Sequence, residues 1–99
     1  MGMIDILKDY LENTIKMIVD KPSEVIVTIS TSTKTILVQI KTAKIDCGKV
    51  IGRKGKTIEA LKIITSAVKN TKFLEDSRNV VLEILEDEDS SFKSYKKEN

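Results

Sequence analysis

Ninety-nine residues, 40% hydrophobic and 32% charged, make one small soluble globular domain with a modest core. A single cysteine excludes an intramolecular disulfide, and no apolar run approaches the roughly 20 residues of a membrane span or begins as a secretory signal, so the expected setting is cytoplasmic. There is no histidine, Cys47 has no general base suggested beside it, and no metal-ligand spacing occurs; no enzyme, catalytic residue, cofactor, metal or small-molecule substrate is expected.

Residues 3–20 read as an amphipathic helix. Ile4, Leu7, Leu11, Ile15 (or Thr14) and Ile18 share one stripe, with Lys8, Asp9, Glu12, Asn13 and Lys16 opposite. Asp20-Lys21-Pro22 ends it, because proline lacks an N–H and disfavours helix at the residue before it. Val25 to Ile29 is β-branched throughout, and Ile36, Val38 and Ile40 alternate with Thr35, Gln39 and Lys41. The polar run Ser30 to Lys34 between them predicts an antiparallel hairpin. Asp46 is placed to cap a short helix, Cys47 to Ile51.

A longer helix is predicted from about Lys56 to Asn70. Ile58, Leu61, Ile64 (or Thr65) and Val68 recur at three- and four-residue steps, and Ala60, Ile63 and Ala67 broaden the apolar face expected to press on a sheet. Val80 to Leu85 supplies a third strand. Beyond it the acidic run Glu86 to Asp89, followed by Lys93, Lys96 and Lys97, reads as a disordered tail, leaving residues 1–85 as the folded domain and 86–99 as its extension.

Between the two later helices lies Val50-Ile51-Gly52-Arg53-Lys54-Gly55-Lys56-Thr57-Ile58. Its glycines let the backbone bend sharply and approach another backbone, and its second glycine opens a helix whose free N–H groups favour an anion. With Arg53, Lys54 and Lys56 in the same run, a polymer of phosphates suits it better than a single phosphate. Gly55-Lys56-Thr57 suggests a mononucleotide P-loop, but that motif needs glycine where Val50 stands. A plain helix–helix corner explains the glycines and leaves unexplained the cations, crowded at a helix start where the dipole opposes them.

The run Ile51-Gly52-Arg53-Lys54-Gly55-Lys56-Thr57-Ile58 resembles the Ile-Gly-x-x-Gly-x-x-Ile pattern of KH domains, whose Gly-x-x-Gly loop clamps about four nucleotides by their backbone. The element order α-β-β-α-α-β over residues 3–85 is that of a type II KH domain. With the stretch from Asp46 to Gly55 and the short length, it is similar to the KhpA-like small stand-alone KH proteins of bacteria. The resemblance implies an α+β fold, a three-stranded mixed sheet with helices on one face. It implies binding of single-stranded RNA, with Lys49, Arg53, Lys54 and Lys56 on phosphates and Gly52 and Gly55 allowing close approach. Bases would rest on an aliphatic groove drawn from Ile45, Val50, Ile51 and Ile58, and Thr57 would support the loop. It further implies a small RNA chaperone acting in post-transcriptional regulation, and pairing as a homodimer or with a larger Jag-type KH protein. A protein-interaction module with RNA binding secondary is the alternative.

The net charge of +2 hides a strong asymmetry. From Lys41 to Lys72 nine cations face only Asp46 and Glu59, a local +7 within a chain otherwise carrying −5. Such a distribution draws polyanions to the central segment. All four aromatics (Tyr10, Phe73, Phe92, Tyr95) lie outside it, which argues against folds that read RNA by ring stacking.

Overall fold

The computed structural model describes residues 2–85 and, for the backbone alone, 92–94. Helix α1 spans Met3–Ile18 and buries Leu7, Leu11 and Ile15, the predicted stripe at its core. It ends at Val19, before Pro22, which opens a 3₁₀ turn, Pro22–Glu24. Strands β1 (Ile26–Thr31) and β2 (Thr35–Lys41) pair antiparallel with Thr28 opposite Gln39 and Ile29 opposite Val38. Their turn is tighter than expected. Ser32 N–H donates to Thr35 O at 2.8 Å, and Thr35 N–H donates to Ser32 Oγ at 3.2 Å.

A 3₁₀ turn (Lys44–Asp46) leads into α2 (Cys47–Ile51), and a second (Arg53–Gly55) leads into α3 (Lys56–Lys72). Strand β3 (Asn79–Leu85) then lies parallel to β2, with Ile36 opposite Val80 and Ile40 opposite Ile84. A parallel pair needs a crossover, and α2 with α3 supplies it. The α+β class and the mixed sheet of β1, β2 and β3 are therefore as expected.

Period-two alternation decides the faces. Val27, Ile36, Val38, Ile40, Val80, Leu82 and Ile84 all point to the helical side and are buried against Leu11, Ile15, Val50, Ile58 and Leu61. The reading of residues 86–99 as a tail falls outside the described residues, except that the backbone of Phe92–Ser94 forms a short β4 antiparallel to β3. The sheet order is β1-β2-β3-β4.

Helix α3 departs from its predicted packing. Its buried row is Ile58, Leu61, Thr65 and Lys69, so the ambiguous position resolves to Thr65, and Ile63 (60% exposed) and Ile64 (50% exposed) face outward. The cause is the shared helical layer. Because α1 also packs on the sheet and against α3, only a narrow arc of α3 reaches the core. Burial of Thr65 is tolerated because its hydroxyl donates to Leu61 O at 2.7 Å. Lys69 is buried along its stem while its Nζ donates to Asp76 O at 2.5 Å. Asp76 in turn takes a two-pronged contact from Arg78, Nε at 3.0 Å and Nη2 at 2.6 Å, and ties down the α3–β3 connection.

Candidate nucleic-acid interface

The glycine loop is held by its own backbone. Gly52 ends α2 with φ +79° and ψ 170°, a region open essentially to glycine alone, and its N–H donates to Gly48 O at 2.8 Å. A Cβ at Gly52 would collide with the Thr57 hydroxyl and sit 2.7 Å from Thr57 N, so Thr57 packs directly under the turn. Gly55 is left-handed (φ +74°, ψ 15°), starts α3, and donates its N–H to Gly52 O at 3.1 Å. Lys54 shares the left-handed conformation at φ 57°, ψ 26°, without the freedom of glycine. Three of the four loop residues thus have positive φ.

This folding of the backbone turns the cations outward. Arg53, Lys54 and Lys56 are exposed and carry no ion pair among the described residues. Lys49, one turn earlier on α2, is drawn away from the other three. Its Nζ lies 3.2 Å from Asp20 Oδ2 and 3.7 Å from Asp46 Oδ1.

The aliphatic candidates separate. Val50 and Ile58 are buried in the core and hold the loop from beneath, so as placed they cannot receive a base. Ile51 is half-buried against the same core, and Ile45 stands 64% exposed on the turn before α2. The structure therefore leaves Ile45 and the outer part of Ile51 as surface.

Asp46 also differs from expectation. It precedes α2 but makes no side-chain cap, because its φ/ψ of −96°/−7° is already helical rather than extended. Its carboxylate instead accepts Asp20 N–H on Oδ1 and Lys21 N–H on Oδ2, both at 3.0 Å, joining the end of α1 to the start of α2. The Asp20 N–H bond, helped by that of Lys21 and by the Lys49 charge, holds this carboxyl below its usual range despite burial, which acts the other way. Of this cluster, the Asp46–Lys49 spacing of three was visible in the chain; the approach of Asp20, 26 residues earlier, was not.

The KhpA/KhpB KH-domain family matches the chain over residues 8–84, which takes in the hairpin, both crossover helices, the loop and nearly all of β3. The chain belongs to that family. Within the KhpA/KhpB family it is similar to the RNA-binding protein KhpA of Chlamydia caviae, 38% identical over 81 residues that cover 82% of this chain and 99% of the relative. The RNA-binding protein KhpA of Aquifex aeolicus is 38% identical over 80 residues, 81% and 96% of the two chains. That of Clostridium acetobutylicum is 34% identical over 79 residues, 80% and 100%. No solved structure gives a significant match. No helix of the described residues is long and apolar enough to cross a membrane.

Proposed function

We propose that this KhpA/KhpB-family chain binds single-stranded RNA without catalysing a reaction on it, gripping the phosphate backbone with the Gly52–Gly55 loop. The reading is carried by one observation: a glycine-held turn at a helix start turns Arg53, Lys54 and Lys56 to solvent, with no carboxylate among the described residues paired to them. The names of the relatives agree with it. Gly52 and Gly55 bring the backbone close, Thr57, Val50 and Ile58 support the turn, and Ile45 with Ile51 offers aliphatic surface to a base. One loop spanning about four nucleotides gives weak, salt-dependent binding with little sequence preference. That behaviour suits a small RNA chaperone in cytoplasmic post-transcriptional regulation.

The test is the double variant Arg53→Asp, Lys54→Asp. It reverses two charges in an exposed turn, and aspartate tolerates the left-handed Lys54 position better than lysine does. The variant should keep its circular dichroism spectrum and lose RNA binding. Undiminished affinity in a folded double variant would sink the clamp.

A second reading, a pairing module, is favoured by the outward face of α3. Ala60, Ile63, Ile64 and Ala67 form an exposed apolar stripe at steps of three, one and three. Ala-x-x-Ile-Ile-x-x-Ala reads the same in both directions, so two antiparallel copies of the helix would set alanine against alanine and isoleucine against isoleucine across a two-fold axis. We infer that α3 pairs with α3 of a second copy, or with the equivalent helix of a larger Jag-type KH protein. Pairing and RNA binding use different faces and are compatible.

A further inference from the structure

Among the described residues, Lys49 is the one proposed phosphate ligand that already holds carboxylates, and those two carboxylates are unlike. Asp46 has no exposed surface, and each of its oxygens receives a backbone N–H, from Asp20 and from Lys21. It cannot leave without stranding two donors. Asp20 has its side chain 66% exposed, and its carboxylate meets Lys49 Nζ at 3.2 Å from the solvent side. The contact differs from a chance surface pair between two free side chains. Asp20 N–H is fixed to Asp46 Oδ1, and the same oxygen lies 3.7 Å from Lys49 Nζ. Asp46, Asp20 and Lys49 thus close a ring in which a buried anchor aims an exposed carboxylate at an exposed ammonium.

We propose that Asp20 is a built-in stand-in for phosphate: in the free protein it occupies the place on Lys49 that an RNA phosphate takes in the complex. The inference deepens the RNA reading and rests on it. Lys49 sits one helical turn before Gly52, so a strand held by the loop can lay a neighbouring phosphate beside it. The ammonium is a point charge with three rotatable donors and can exchange one anion for another without rearranging α2. Asp46 stays in place throughout, keeping Lys49 poised after Asp20 swings out. Before exchange the lone cation of the ring faces two carboxylates, so Lys49 adds nothing to attraction at a distance. After exchange it adds one phosphate contact. Asp20 thereby weakens binding and thins out non-specific encounters, while the exposed Arg53, Lys54 and Lys56 provide the first capture.

The experiment is a double-variant cycle on the full chain, read by titration of a single-stranded oligouridylate of about eight nucleotides, twice the length one KH loop clamps. Asp20→Asn keeps the backbone N–H that Asp46 needs, so the fold is retained, which a thermal melt checks. Affinity should rise about threefold at low salt, the order expected for one screened charge at close range in water. Lys49→Gln should lower affinity. In the Lys49→Gln background, Asp20→Asn should change affinity by less than about 1.5-fold, because the contact it releases is gone. An equal gain in both backgrounds would mean that Asp20 acts only through long-range charge, and would overturn the proposal, as would no gain in the native background. If Arg53→Asp, Lys54→Asp abolishes binding while Asp20→Asn leaves it unchanged, the stand-in role falls and the loop reading survives. If the native chain does not bind the oligonucleotide, both fall.

Discussion

Residue by residue, the loop is a graded series of backbone constraints. Gly52 is doubly constrained, by a glycine-only φ/ψ and by Thr57 against its missing Cβ. Gly55 is constrained by φ alone, since a Cβ there meets nothing within 4 Å. Gly52→Ala should therefore cost about 3 kcal/mol and Gly55→Ala about 1 kcal/mol, read from urea midpoints. Lys54 is the complement: a β-carbon already held at positive φ. Lys54→Gly should raise stability by about 0.5–1 kcal/mol while lowering RNA affinity. A lysine kept where glycine would be more stable fits a position held for its charge.

For the elements, α3 has a buried row and, apart from it, an exposed apolar stripe. The inner row is built into the core; the outer stripe is not. Ile63→Glu with Ile64→Glu should leave melting nearly unchanged, because both positions are at least half exposed. Sedimentation equilibrium should show the native chain as a dimer and this variant as a monomer. A variant that still dimerises would remove the α3 pairing. Both faces were present in the sequence, but periodicity alone could not separate them: Ile64 and Thr65 are adjacent steps of one helical pattern. What decided between them was the space taken by α1 and the ability of Thr65 to satisfy its hydroxyl on Leu61, and neither is a property of hydrophobic spacing. The loop was legible because glycine at fixed offsets has a local cause. The ring around Lys49 was only half legible, since Asp46 is a local partner and Asp20 arrives through the fold. Asp46 itself was misassigned as a cap because residue type at a helix start does not reveal which way a carboxylate turns.

At the scale of the whole molecule, acid is the condition to which stability should respond. Asp46 and Asp76 both titrate below the usual carboxylate range, Asp46 chiefly through the Asp20 N–H and Asp76 chiefly through the Arg78 side chain. A lowered folded pKa stabilises the native state above the unfolded value of about 3.9, and this contribution is lost as pH falls through the folded value. With no histidine in the chain, stability should be nearly flat between about pH 5 and 8, then fall below about pH 4. Denaturant midpoints across that range check this. Asp76→Asn should start less stable at neutral pH and lose less on acidification. A dip near pH 6.5 would mean that some other group titrates with folding.

The molecule also carries a length. Helix α3 begins at the loop, with Lys56, and its stripe is centred between Ile63 and Ile64. At 1.5 Å per residue that is about 11 Å, so an antiparallel α3 pair sets its two loops about 22 Å apart along the axis. Such a pair is a gauge. An oligonucleotide too short to reach both ends engages one loop and gains nothing from the second. One that spans the gap meets the second loop at high effective concentration, and its affinity should step up at that length rather than climb smoothly with it. The position of the step would measure the spacing that eight residues of helix have set.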